Sequence, residues 1–152
     1  MIECLPIGIC AWNYRLTGAT PDETARLTFD WLSEQGEIRT LGASYLVSKV
    51  GIFSGTWQLE REDEVVAVAR KLNPFTRIFE IEFRGGIAVL EAESPFFRAM
   101  VLRMPDGEGG SIRPVHPLTR RATMEMAGVP FEIQCFAFWL TALMWRRAAN
   151  SQ

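Results

Sequence analysis

Residues 130–147 read PFEIQCFAFWLTALMWRR, and past Gln134 the one polar side chain before Arg146 is Thr141. A helix of that composition is apolar on every side, so it must lie buried in protein or in lipid. A bilayer span takes roughly 20 apolar residues, and the uninterrupted run 135–145 reaches about half that length. Extending it back to Val129 brings in Glu132 and Gln134, and an acid inside the membrane costs a few kcal/mol. The run therefore reads as a buried helix of a folded domain, ahead of a spanning or surface-lying segment, although Arg146 and Arg147 flank it as a membrane anchor would. Pro130 suits the first helical turn, where a missing N–H costs nothing, and the two arginines favour the negative end of the helix. The expected central helix covers 130–147, and the rest of the chain must surround it.

With 152 residues the chain is expected to form a single domain, 1–152, with a substantial core. A net charge of -2 lacks the basic excess of a dedicated nucleic-acid binder, so no nucleic-acid partner is expected. The first residues, MIECLPIGICAW, carry an acid and no Lys or Arg ahead of the apolar stretch. They do not read as a signal peptide, and the expected location is cytoplasmic. Cys4, Cys10 and Cys135 match neither a disulfide framework nor a metal or redox motif, and read as buried thiols.

Upstream of the helix the apolar residues alternate. Cys10, Trp12, Tyr14 and Leu16 share one face; Ala25, Leu27, Phe29 and Trp31 share another. The second segment follows Thr20-Pro21-Asp22-Glu23, which resembles a helix N-cap, yet the alternation favours a strand. Further short strands are expected at 37–41, 44–50, 64–71, 99–104, 111–115 and 122–126, with a glycine-rich turn at 105–110. Phe53, Gly55, Trp57 and Leu59 give the clearest alternation. A two-residue Gly85-Gly86 loop would pair Phe79, Ile81 and Phe83 with Ala92, Leu90 and Ala88, and would set Glu80 opposite Glu91.

Three turns share a pattern of polar residue, proline, apolar residue, any residue, arginine. They are Asn73-Pro74-Phe75-Thr76-Arg77, Ser94-Pro95-Phe96-Phe97-Arg98 and His116-Pro117-Leu118-Thr119-Arg120, with prolines 21 and 22 residues apart. Such an interval fits two strands and two turns, so the three turns should lie at one end of a meandering sheet. Strands from about residue 10 to 126 number eleven, or twelve if the first residues also pair. A sheet of that size tends to close. The expected fold is mostly β: a closed antiparallel barrel of about twelve strands around a buried hydrophobic C-terminal helix.

Residues 45–59 (YLVSKVGIFSGTWQL), 65–81 (VVAVARKLNPFTRIFEI), 110–126 (GSIRPVHPLTRRATMEM) and the closing helix, about two thirds of the chain, resemble the tubby C-terminal-like superfamily with its LURP-one-related and phospholipid scramblase branches. The resemblance is one of pattern. It implies a cytosolic or membrane-peripheral module and, in the tubby branch, recognition of phosphoinositide headgroups. It carries no ligand-binding residue over to this chain.

Signatures of catalysis are missing from the sequence: GxSxG, HExxH, P-loop and GxGxxG after a strand do not occur. No cofactor or metal is expected, and an enzyme ranks behind two other readings. His116 reads as a turn residue, and Glu80 with Glu91 as exposed acids. The candidate ligand-binding residues are Arg77, Arg98 and Arg120, joined by Lys71, Arg113 and Arg121, because a guanidinium array presents planar forks of donors to phosphate. Alternatively those arginines pair with Glu80, Glu91 or Glu93 and hold the turns together. The first functional reading is a non-enzymatic binding module for an anionic, phosphate-bearing ligand, which includes a lipid headgroup. The second is a protein-interaction or scaffold domain whose surface serves a partner.

Overall fold

The computed structural model describes residues 1–9, 11–51, 54–107 and 109–151. Twelve strands follow one another: β1 (Ile2–Ile7), β2 (Asn13–Thr17), β3 (Thr24–Phe29), β4 (Gly36–Thr40), β5 (Ser44–Lys49), β6 (Thr56–Arg61), β7 (Glu64–Lys71), β8 (Ile78–Phe83), β9 (Gly86–Ala92), β10 (Met100–Arg103), β11 (Gly109–Pro114) and β12 (Ala122–Met126). Each pairs antiparallel with the next, and β1 pairs with β12 through Ile2, Glu3 and Cys4 opposite Met124, Thr123 and Ala122, so the barrel closes. The first residues thus supply the twelfth strand. Closure leaves no unpaired edge to solvent.

The helix α1 (Phe131–Asn150) fills the lumen, and its residues from Cys135 to Trp145 are buried without a break. Alternation along each strand gives the complementary lining: Tyr14 and Leu16, Leu27, Ile38, Val47, Trp57 and Leu59, Phe79 and Ile81, and Met124 all lie inside. Phe138 meets the Tyr14 ring edge-on at 4.7 Å between centroids, and Phe29 stacks on Trp139 at 4.5 Å. The polar atoms of this core are satisfied internally. Thr141 Oγ1 donates to Ala137 O at 2.8 Å, and Trp139 Nε1 donates to Thr28 O at 3.1 Å. Burial pushes the Cys4 and Cys135 thiols up, so both stay protonated and weakly nucleophilic. The expectation for Cys10 lies outside the described residues, as does that for Phe53.

Several boundaries differ from those expected. Pro130 occupies the N-cap position and the helix begins at Phe131. It also runs past Arg147 to Asn150, because Arg146 and Arg147 are clamped to the barrel rim and hold the last turn. β3 stops at Phe29, and Trp31 stands in solvent at 82% exposure. The 105–110 turn is shorter than its glycines imply, since Gly109 and Gly110 belong to β11. A Cβ on Gly110 would come within 1.8 Å of Glu125 O, which is why the position takes glycine.

The hairpin register is also two residues away from the expected one. Arg84 and Gly85 form the loop with φ of 50° and 73°, so Phe83 pairs with Gly86, Ile81 with Ala88 and Phe79 with Leu90. Left-handed φ at both loop positions is the geometry that follows strand twist. Glu80 therefore faces Val89 and not Glu91. Glu91 forms an ion pair with Arg103, and no paired carboxylate exists there.

Candidate functional site

In an up-and-down barrel alternate connections share an end. The links after β1, β3, β5, β7, β9 and β11 therefore lie together, and the three repeated turns are consecutive members of this set. These links form the corners of the barrel. β12 carries the chain away from the corners, so α1 enters at the opposite end and its C-terminus emerges among them. Trp145 Nε1 donates to Arg98 O at 3.2 Å, and Arg146 donates to Ser33 O at 2.7 Å and to Asp30 O at 3.0 Å.

Each position of the repeat has a physical role. The first, polar residue closes the turn: Asn73 Oδ1 accepts from the Phe75 and Thr76 N–H groups at 2.9 Å, Ser94 Oγ from Phe96 N–H at 3.2 Å, and His116 Nδ1 from Leu118 N–H at 3.1 Å. Proline sets the backbone that follows. The apolar residue two places on is then turned outward, with Phe75 at 94%, Phe96 at 89% and Leu118 at 92% exposure.

The arginine of each repeat reaches the next corner. Arg77 donates to Ser94 O at 2.9 Å and Phe97 O at 2.8 Å. Arg98 donates to the carbonyls of His116, Pro117 and Thr119 at 3.1, 2.9 and 2.8 Å, and its guanidinium lies 5.0 Å from the centre of the Trp145 ring. Arg120 continues the series across the barrel closure to the carbonyls of Gly8, Ile9 and Ala11, and stacks over Trp12 at 5.0 Å. Tyr14 Oη in turn donates to Arg120 O at 2.8 Å. The arginines do hold the corners together, but through backbone carbonyls and not through Glu80, Glu91 or Glu93. Because a carbonyl is neutral, the guanidinium charges stay uncompensated.

All six candidate residues thus lie at the corner end. Lys71, at the end of β7, donates to Asn73 O at 2.7 Å. Burial, followed by the nearby Arg147 charge, lowers its ammonium below the ordinary lysine value. Arg121 is exposed and, among the described residues, meets no acid within ion-pair distance. Arg113 is the exception. It pairs with Glu93 at 2.7 Å, and that hydrogen bond lowers the carboxyl and raises the guanidinium. Between neighbouring corners a cleft of about 360 Å³ opens, lined by this pair, Glu93 and Arg113, together with Phe96, Phe97, Arg98 and Pro117. With the Arg113 charge met by Glu93, Arg98 is the guanidinium this cleft sets beside its apolar wall, a pairing that suits an amphiphilic anion.

Sequence reasoning missed the contribution of the helix C-terminus. Arg147 forms an ion pair with Glu34, which also receives Lys49 Nζ at 2.9 Å, and Trp57 Nε1 donates to Glu34 O at 3.0 Å. Burial alone would raise the Glu34 carboxyl, but the hydrogen bonds from Arg147 and Lys49 outweigh it and lower it from an ordinary 4.5 to about 2. Glu34→Gln is therefore expected to cost about 2 kcal/mol at neutral pH after allowance for solvent screening. A lowered folded-state pKa gives stability that is complete above pH 4.5 and is lost as pH falls toward 2. Urea melts of the two proteins should differ at pH 7 and converge near pH 2.

The two ends differ in charge. Asp22, Glu23, Glu62 and Asp63 occupy turns of the opposite end, where Glu132 sits in the first turn of α1. Asp30, Glu34 and Glu93 are the acids of the described corners, against the arginines and lysines above. Each end thus complements the helix dipole. One more basic feature lies on the barrel wall, where Arg15 faces Arg26 and Arg26 faces Arg39 on β2, β3 and β4. Arg39 there pairs with Glu37 at 2.8 Å. No helix among the described residues is long and apolar enough to cross a membrane, and no group of them gathers His, Cys, Asp and Glu in a metal-binding arrangement.

No family model matches the chain, and neither a curated protein nor a solved structure does so.

Proposed function

We propose that the protein is a non-enzymatic binding module for an anionic, phosphate-bearing ligand, held at the corner end of the barrel. The observation that carries this reading is the set of neutral partners around Arg77, Arg98 and Arg120. Their charges are fixed in place and not cancelled, in a chain whose net charge is -2. Preorganised guanidinium groups bind phosphate without the entropy loss that free side chains would suffer. Arg121, Lys71 and the cleft beside Arg98 and Arg113 add donors on the same side. The closed twelve-strand barrel around its C-terminal helix supports placing the chain with the tubby C-terminal-like superfamily, and a cytoplasmic, membrane-peripheral location belongs to the same proposal. A protein-interaction role, as scaffold or adaptor, draws on the exposed apolar side chains of the corners.

Calorimetric titration with inositol hexakisphosphate tests the charge reading with a free polyphosphate. Binding is expected at low salt and should weaken as salt rises, because exposed charges are screened over about 10 Å at 0.1 M. Arg121→Gln combined with Lys71→Gln should lower the affinity severalfold and leave the melting curve almost unchanged, since neither residue links one corner to the next. Absence of binding at low salt would remove the proposal.

A further inference from the structure

Tips of β-turns are ordinarily polar, yet the corners of one end present Ile9, Trp31, Leu32, Phe75, Phe96 and Leu118 at 82–94% exposure. They come from five separate connections, so they surround the rim and do not form one sticky patch. The turns of the opposite end offer acids instead, and among the described residues outside the strands Met1 and Leu41 are the large apolar side chains exposed at that end, each at 69%. Behind the tips lie the arginines. Arg120 donates to Ile9 O, Arg77 to Phe97 O, Arg98 to Pro117 O, Arg146 to Asp30 O and Ser33 O, and Lys71 to Asn73 O, so each corner that carries a tip is tied to a cation.

We propose that this end docks face-on to an anionic lipid bilayer, with the six apolar tips seated at the boundary of headgroups and acyl chains and the arginines level with the lipid phosphates. The proposal rests on the anion-binding reading above and adds the source of the phosphate and the manner of contact. Two features of the rim favour a bilayer over a folded protein partner. The tips are spread around the rim, as contact with a fluid plane needs, and cations lie immediately behind apolar groups in the order of depth that an anionic leaflet presents. Trp31 adds the amphipathic ring that favours the membrane interface.

The full chain provides its own probe, because Trp57, Trp139 and Trp145 are buried and Trp12 is half-buried beneath Arg120, whereas Trp31 stands in solvent. Vesicles of phosphatidylcholine with phosphatidylserine should shift the tryptophan emission to the blue, and brominated acyl chains should quench it. Trp31→Phe should remove most of both signals, Trp12→Phe should leave most of them in place, and vesicles of phosphatidylcholine alone should give weak ones. The combined variant Ile9→Ser, Phe75→Ser and Leu118→Ser should lose at least about tenfold in vesicle affinity while it binds inositol hexakisphosphate as the wild type does. Vesicle affinity unchanged in that variant, or lipid binding without quenching, would overturn insertion and leave the anion reading standing. Failure to bind both vesicles and inositol hexakisphosphate would defeat the two together. Self-association through the tips that blocks vesicle binding would overturn the proposal by assigning the face to a second copy of the chain.

Discussion

Phe138→Asp should abolish folding. Phe138 is wholly buried at the centre of the lumen, edge-on to Tyr14 at 4.7 Å and to Trp145 at 6.0 Å. Truncating a core phenylalanine alone costs about 3–5 kcal/mol. The aspartate adds either an unpaired buried charge or the protonation needed to avoid one, at several kcal/mol more. The sum is of the same order as the total stability of a domain of this size, about 5–15 kcal/mol. Leu140→Asp should behave in the same way, because Leu140 is equally buried. The expected result is insoluble protein, or soluble protein with no cooperative melt by circular dichroism. A cooperative transition in either variant would show that the helix does not fill the barrel.

Arg98→Gln should lower the melting temperature by about 4–8 °C, the equivalent of roughly 2 kcal/mol in a chain of this length. Arg98 joins three carbonyls of the neighbouring corner and covers the Trp145 ring, so its loss frees the corner and uncovers the end of the helix at once. Arg98→Lys separates its two roles. An ammonium keeps the charge but cannot span the same fork of acceptors. The lysine variant should retain most of the affinity for inositol hexakisphosphate and recover little of the lost stability. Wild-type melting of Arg98→Gln, by differential scanning calorimetry, would mean that the arginine relay does not hold the rim together.

The barrel was legible in the sequence because its signals are redundant. Alternation at Tyr14 and Leu16, Leu27 and Phe29, and Trp57 and Leu59 marks an inner face, and an apolar run such as 135–145 has to be enclosed. Local register was less legible. Gly85-Gly86 offers two adjacent glycines as a loop, and only the left-handed backbone at Arg84 decides that the loop sits one position earlier. The repeat correctly placed three arginines at one end, but its pattern does not encode what they bond to, since backbone carbonyls leave no mark in a sequence. The third position of the repeat held a signal that went unread: an apolar residue between a turn-closing group and a relay arginine has no core to enter. The clamp that Arg146 and Arg147 form on the rim went unread too, although strand parity holds the signal for it. A chain that leaves the last corner along β12 must return its helix C-terminus to the same corners.

The central claim is that the corner end, and neither the opposite end nor the barrel wall, binds anions. Backbone amide shifts of isotope-labelled protein during titration with inositol hexakisphosphate test it most directly. Saturable shifts are expected at residues 72–77, 93–99 and 115–121 and around Arg146, with the turns at 18–23, 62–63 and 84–85 unmoved. Shifts centred on Arg15, Arg26 and Arg39, or on the acidic end, would contradict it.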